Sequence, residues 1–247
     1  RMRDQGHTMT RTGKSKALAQ QTQPSFIALN PQDAKHYSVA DNQLIKLTSA
    51  YGKVIANAQV VNDQSPGQVF MPIHWNQTNA SHANVSECYG SAVDPISGQP
   101  ESKYAVVELT PVTVVQHAVI FSAFPLTLPE TQACDWWNSC ITPAGMQYQL
   151  AWFEQGVEPL AFTQSQAHSQ AQQATSQSQF NDMQWHSFTS SQGNHDESTT
   201  VIGVCAGQIT IVGLFSAKQP TVNTAWVVEL MQPSEHHIEF SDISALL

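Results

Sequence analysis

Between residues 26 and 73 the chain carries four apolar runs of only four to nine residues, each ended by turn-forming residues, and this rhythm restricts the region to short strands closely connected. Phe26-Ile27-Ala28-Leu29 reads as a first strand. Asn30-Pro31-Gln32-Asp33 then supplies a helix-capping side chain followed by proline at the first helical position, which predicts a short helix to about residue 37. Residues 43–49 and 53–61 alternate apolar and polar side chains around Ala50-Tyr51-Gly52, the pattern of a β-hairpin. Pro66-Gly67 makes a turn before another apolar strand at 68–73, and a polar loop from 74 to about 102 leads to a strand at 104–109. Short strands, one small helix and one long loop predict a compact, mostly β barrel, in which a loop of that length is a candidate for function.

Ahead of these strands lies a segment that cannot be core. Residues 4–16 combine the hydroxyls of Thr8, Thr10, Thr12 and Ser15 with His7, Gly6, Gly13 and the cations Arg11, Lys14 and Lys16. Such a strip can wrap an anionic, phosphorylated ligand with backbone amides, hydroxyls and charge; the alternative is a solvated N-terminal tail. Gly13-Lys14-Ser15 ends like a phosphate-binding P-loop, but that loop requires glycine where Thr8 stands, so a kinase or ATPase reading is set aside.

Charge divides the chain. Residues 1–110 hold nine of the ten Lys and Arg and a net charge of +1, whereas 111–247 hold only Lys218 against eleven acids, a net of −10. Two domains are therefore expected, 1–110 and 111–247, and any anion should bind the first. An acidic second half would repel nucleic acid and anionic membrane, so neither is an expected partner. No apolar run approaches a membrane helix and no signal peptide is evident, which predicts a cytoplasmic location. The start at Arg1 and the apolar end through Leu247 lead us to expect a piece cut from a longer chain.

Beyond Pro111 the pattern changes. A β-branched run covers 112–121, residues 146–153 alternate, and 201–204 pair naturally with 208–215 across Ala206-Gly207. Residues 221–231 predict a helix with Trp226, Val227 and Leu230 on one face, and the Gln- and Ser-rich 164–178 predict a solvated helix or mobile insert outside the core. The second domain is thus expected to be α+β, of unknown role. Cys134 and Cys140 flank Asp-Trp-Trp-Asn-Ser and could be bridged, help hold a metal or remain thiols. No His-Glu-x-x-His motif supports a zinc hydrolase. The Asn-x-Ser/Thr triplets at Asn76, Asn79 and Asn84 are best explained as coincidence in a polar loop.

Four stretches then align with a family. His7-Thr8-Met9-Thr10-Arg11-Thr12-Gly13-Lys14, Asn30-Pro31-Gln32-Asp33-Ala34, the run from Pro66-Gly67 through Ile73-His74-Trp75, and Asp94-Pro95-Ile96-Ser97-Gly98-Gln99-Pro100 continuing to Lys103 resemble, in order and spacing, the molybdopterin dinucleotide-binding domain of molybdenum oxidoreductases. The likeness is strongest to bacterial assimilatory nitrate reductases, with periplasmic nitrate reductase and formate dehydrogenase more distant. It covers residues 1–110 strongly and the rest only loosely. It implies a mainly β fold, a six-stranded double-psi β-barrel followed by a smaller α+β C-terminal domain.

The resemblance further implies a bis-molybdopterin guanine dinucleotide cofactor carrying molybdenum. Gly6, His7, Thr8, Met9, Thr10, Arg11, Thr12, Gly13 and Lys14 would lie along its pterins and phosphates. Ile73 and His74 would line the contact, Asn84 would bind a polar edge and Lys103 would donate to an acceptor. His74 and Trp75 could equally be packing residues at a barrel mouth. Relatives usually carry tryptophan where Gly6 stands, and the spacing from Asn84 to Asp94 is about two residues longer than in the family's pattern. The chemistry implied is reduction of nitrate to nitrite in nitrate assimilation, with electron transfer from a donor protein or reductase subunit. The metal ligand and iron–sulfur clusters would lie outside this stretch, in the preceding catalytic domains of the same polypeptide, so the isolated chain is expected to be inactive. Alternatives are the same domain in a formate dehydrogenase or other molybdenum oxidoreductase, or a barrel retained only as an interaction platform.

Overall fold

The computed structural model describes residues 6, 15–19, 24–126, 128, 133–173, 182–192 and 196–232. The chain separates into two compact units, Arg1–Val114 with Trp136–Cys140, and Val115–Asp135 with Ile141–Leu247. Both are built mainly from β-strands. No helix among the described residues is long and apolar enough to cross a membrane.

In the first unit a short helix α1 (Lys16–Ala19) precedes strand β1 (Phe26–Leu29). Ile27, Ala28 and Leu29 are all buried, so this strand is covered on both faces. Asn30 then caps α2 (Pro31–His36): its Oδ1 accepts from the Gln32 amide at 2.8 Å, while its Nδ2 donates to the Gln64 carbonyl at 2.6 Å. Proline at the first turn loses no hydrogen bond there, since that amide is unpaired in any helix. The expected hairpin forms as β2 (Leu44–Thr48) and β3 (Lys53–Val60), paired from Leu44 opposite Asn57 to Thr48 opposite Lys53. Ser49 closes its turn, Oγ accepting from the Tyr51 and Gly52 amides at 3.1 and 3.2 Å.

Strands β4 (Val69–Phe70) and β5 (Glu108–Pro111) complete a five-stranded sheet ordered β4-β1-β3-β2-β5, in which β1 runs parallel to β3. Two expected strands are displaced. The run at 68–73 pairs with β1 only at Val69 and Phe70, because Pro72 has no amide to continue the ladder. The strand expected at 104–109 begins at Glu108, where Leu109 pairs with Leu47 and is buried, while Tyr104 and Val106 are exposed. The sixth strand of the expected barrel is not among the described residues of this sheet. The core beneath the sheet gathers Ile27, Leu29, Ile45, Leu47, Val54 and Trp75, each burial stabilising the unit by about 1.5–3 kcal/mol before entropy is charged against it.

The remaining strands form a six-stranded sheet: β6 (Gln116–Ser122), β7 (Trp136–Thr142), β8 (Gly145–Trp152), β9 (Gln184–Gln192), β10 (Asp196–Cys205) and β11 (Gln208–Ser216), in the order β7-β8-β6-β11-β10-β9; all but Trp136–Cys140 of β7 belong to the second unit. The β10–β11 hairpin turns at Ala206-Gly207 as the sequence predicts. Helix α3 (Pro159–Gln173) covers the described part of the stretch expected as a solvated helix or mobile insert; within it Gln166 and Ala167 are buried, and just ahead of it Phe162 and Thr163 are buried, Phe162 meeting Trp152 and Phe215 edge-on at 5.3 and 6.2 Å. Residues 174–178 of that prediction lie outside the described residues. Helix α4 (Thr224–Leu230) is capped by Asn223 and joins Trp226, Val227 and Leu230 to a core with Phe121, Ile202 and Val212, the face read from the sequence.

Candidate functional site

The candidate site is assembled from loops of the first unit. The strip His7 to Lys14 lies outside the described residues; Gly6, at its start, is exposed. Downstream, β4 delivers Met71 and Pro72 into the interior, leaving Ile73 half-buried and His74 and Trp75 buried. Phe26 packs against Phe70 and Trp75 with ring centres 6.5 and 6.4 Å away, and the His74 ring lies 6.2 Å from that of Trp75. Trp75 thereby anchors the start of the long loop to the core, and His74 sits at 7% exposure next to it.

From Asn76 the loop is held by its own amides. Asn76 Oδ1 accepts from the Thr78 amide and hydroxyl at 2.9 and 2.6 Å, and Asn79 Oδ1 accepts from the Asn76 amide at 2.8 Å. Residues 79–81 then run beside Trp137–Ser139. The Ser81 amide donates to the Trp137 carbonyl at 2.9 Å, the Trp137 amide donates to Ser81 Oγ at 2.9 Å, and the Ser139 amide donates to the Asn79 carbonyl at 2.8 Å. Ala80 and Asn138 form an antiparallel bridge. Two buried side-chain donors reinforce it: Trp136 Nε1 to the Ile55 carbonyl at 3.0 Å, and Asn138 Nδ2 to Ser25 Oγ at 3.1 Å.

Past this stretch the Ile55 amide donates to the His82 carbonyl at 2.8 Å and Ala83 is fully buried, so Asn84 emerges at a defined place. It precedes a 3-10 turn, Val85–Cys88, yet its side chain makes no capping hydrogen bond. An asparagine there ordinarily accepts from an amide of the first turn; this one keeps a half-buried amide group uncommitted to the turn. Gly52 packs so closely on the turn that a Cβ would lie 2.5 Å from the Glu87 carbonyl oxygen.

The rest of the loop behaves differently. Residues 91–100 are exposed throughout and close on themselves through the Val93–Pro100 bridge. Asp94 Oδ1 accepts from the Ser97 amide, the Ser97 hydroxyl and the Ile96 amide at 2.7, 2.9 and 3.0 Å. These bonds, the Ser97 amide foremost, hold its carboxyl below the usual carboxylate range. Lys103 follows, exposed, beside exposed Tyr104. The structure thus positions His74 and Asn84 through packed backbone, and Lys103 at the foot of a solvated hairpin.

The cysteines supply no site. Cys134 is pushed up to about 12 by burial and then by the Asp135 charge, and Cys140 to about 11 by burial, so both stand as thiols at neutral pH. No disulfide and no group of three or more potential metal-ligating residues occurs among the described residues. In the second unit a cavity of about 240 Å³ between α4 and strands β10 and β11 is lined by Ile202, Val212, Leu214, Trp226 and Leu230 among others, with no charged residue. Its polar groups are limited to Thr200, Thr221 and Asn223, so it offers an anion no opposite charge.

Family comparison bears on the first unit. Residues 1–106 match the molydopterin dinucleotide binding domain. A nitrate reductase of Klebsiella oxytoca is 36% identical over 129 residues, 52% of this chain and 15% of the relative. The assimilatory nitrate reductase catalytic subunit of Bacillus subtilis is 33% identical over 105 residues, covering 42% of this chain and 14% of its own length. An F420-dependent formate dehydrogenase subunit alpha of Methanocaldococcus jannaschii is also 33% identical, over 103 residues, covering 42% and 15%. The chain therefore spans about 15% of the length of these curated relatives.

Sequence reasoning missed the residues that hold the site loop, Ser25, Ser81 and Trp136 through Ser139. The adjacent tryptophans of Asp135-Trp136-Trp137-Asn138-Ser139 carried a strand signal, since aromatic residues favour pleated, half-buried surfaces, but the flanking cysteines drew the reading elsewhere.

Proposed function

We propose that residues 1–110, the greater part of the first unit, form the cofactor-binding barrel of a molybdenum-dependent nitrate reductase, and that their strands belong to a six-stranded double-psi barrel. The observation that carries this reading is the match of residues 1–106 to the dinucleotide-binding family, with nitrate reductases among the relatives. The donor set fits a bis-molybdopterin guanine dinucleotide. That ligand presents diphosphates and heterocyclic edges, and the unit offers the uncommitted Asn84 amide, the exposed Lys103 ammonium and the hydroxyl- and cation-rich strip at 7–14. Arg11 has the forked donors that suit a phosphate, whereas Lys103 acts as a point charge. Ile73 and His74 border the same loop.

When bound, the molybdenum supplies the oxygen-atom chemistry that turns nitrate into nitrite. The residues of this chain bind and orient; the metal ligand and iron–sulfur clusters belong to preceding domains of the same polypeptide, and electrons come from a donor protein or reductase subunit. The 247-residue piece alone is inactive, the intact enzyme is cytoplasmic, and its role is nitrate assimilation. A formate dehydrogenase is the second reading, favoured by the 33% identity to the Methanocaldococcus jannaschii subunit.

Metal and pterin analysis of the full-length protein, with nitrate and formate turnover measured in parallel, tests the proposal. Molybdenum, two pterins and nitrite production are expected. Formate oxidation without nitrate reduction would select the second reading, and absence of molybdenum and pterin would leave only an interaction platform.

A further inference from the structure

The strongest unassigned feature is the pairing of residues 79–81 with a segment that follows the family match by about thirty residues of chain. The connection between His74 and Asn84 does not close only on its own turns. Here it is built into a ladder. Three backbone amides, two serine hydroxyls and the Ala80–Asn138 bridge connect residues 79–81 to Trp137–Ser139. The ladder is pinned by nearly inaccessible groups at one end and at its centre: Trp136 reaches the Ile55 carbonyl on β3, and Asn138 reaches Ser25, immediately before β1.

A ladder at this place has a specific consequence. Asn84 lies three residues past Ser81, and Ile55, whose amide holds the His82 carbonyl, is the same residue whose carbonyl receives the Trp136 indole. The course of the loop into Asn84 is therefore bonded on one side by β3 and on the other by Trp137–Ser139. Free movement of the loop would require breaking several of these bonds together, so the backbone that leads into Asn84 follows one course rather than many. Preorganisation of this kind lowers the ordering cost of ligand binding without any contact to the ligand.

We propose that Trp136–Ser139 is a positioning element for the cofactor loop, fixing the path from His74 to Asn84, and that Ser81 is its key side chain because its hydroxyl both receives the Trp137 amide and donates to the Trp137 carbonyl. This rests on the cofactor reading above. It assigns a role to residues beyond the matched domain: a barrel cut at residue 106 would keep every expected ligand-binding residue and lose the brace that aims one of them.

The test uses the full-length enzyme. Ser81→Ala removes the hydroxyl, Ser81→Thr restores it, and Ser86→Ala, on the exposed face of the 3-10 turn, is the control. Two quantities are read: amide hydrogen exchange at Trp137 and Ser139, and the rate at which pterin and molybdenum leave the protein on dilution. Ser81→Ala should speed exchange at both amides and quicken cofactor loss about fivefold, the equivalent of one net hydrogen bond, with Ser81→Thr returning both toward wild type and Ser86→Ala leaving both unchanged. Faster exchange with wild-type cofactor retention would overturn the positioning role, reducing the ladder to a structural contact. Unchanged exchange would overturn the brace itself. A wild-type protein that holds no molybdenum or pterin would instead defeat the cofactor reading, an outcome distinct from either.

Discussion

Two stretches of the same long loop carry expected ligand-binding residues, and they are stabilised by opposite means. Residues 76–84 borrow their shape from the rest of the unit: half-buried, paired with Trp137–Ser139 and bonded to β3, they present Asn84 from packed backbone. Residues 91–103 make their shape alone, from an exposed hairpin closed by Asp94 and Ser97, and present Lys103 in solvent. The difference separates two ways of holding a ligand. A directional amide needs a fixed position, whereas an ammonium on a long stem tolerates movement of its base.

The largest effect should come from the support of the braced stretch. Trp136→Ala empties a site of 2% exposure and leaves the Ile55 carbonyl without its indole donor, so it should cost about 3–5 kcal/mol in denaturant unfolding of the 247-residue chain. A loss below about 1 kcal/mol would mean that this segment contributes little and would break the contrast between the two stretches. Gly52→Ala should cost less, about 1–3 kcal/mol, because the new methyl meets the Glu87 carbonyl oxygen at 2.5 Å and must push the Val85–Cys88 turn away. The midpoint of a denaturation curve decides it.

Two asparagines sharpen the comparison further. Asn30 caps α2 through its side chain and Asn84 caps nothing, although both stand at the start of a helical turn. Asn30→Ala should therefore cost about 1 kcal/mol of stability, and Asn84→Ala only a few tenths while weakening cofactor retention. Equal stability losses would show that Asn84 is a structural cap after all.

The smallest effect concerns the self-made hairpin. Asp94 has its carboxyl lowered by the Ser97 and Ile96 bonds, so its contribution is present above the unfolded carboxyl value and is lost as pH falls through the lower folded value. Hydrogen exchange at Ser97 should accelerate on that acid limb, and Asp94→Ala should abolish the acceleration. Being fully exposed, this group should leave the global unfolding midpoint almost unmoved.

Much of the first unit was legible because its signals are local. The Asn30-Pro31 cap and the Ser49–Gly52 turn need only neighbouring residues, and both form where expected. Strand limits were less legible because a partner decides them: β5 starts at Glu108 since Leu47 waits opposite Leu109. α3 had a readable beginning that was passed over. Glu158 accepts from the Leu160 and Ala161 amides at 3.2 and 2.6 Å and Pro159 follows it, a start signal six residues before the Gln-rich run drew attention. β9 gave little to read, being a largely exposed edge strand whose Thr189 pairs with Thr199 in solvent. In the candidate site, His74, Asn84 and Lys103 came from motif likeness. The brace could not, since its partners lie 56 residues apart and only folding brings Ser81 to Trp137.

Whether this loop grips a molybdopterin dinucleotide, as we propose, is decided by the molybdenum-to-polypeptide ratio of the full-length protein carrying Asn84→Ala and Lys103→Ala together. The expected outcome is a folded protein whose molybdenum and pterin content falls well below wild type. Wild-type content in that double variant would contradict it.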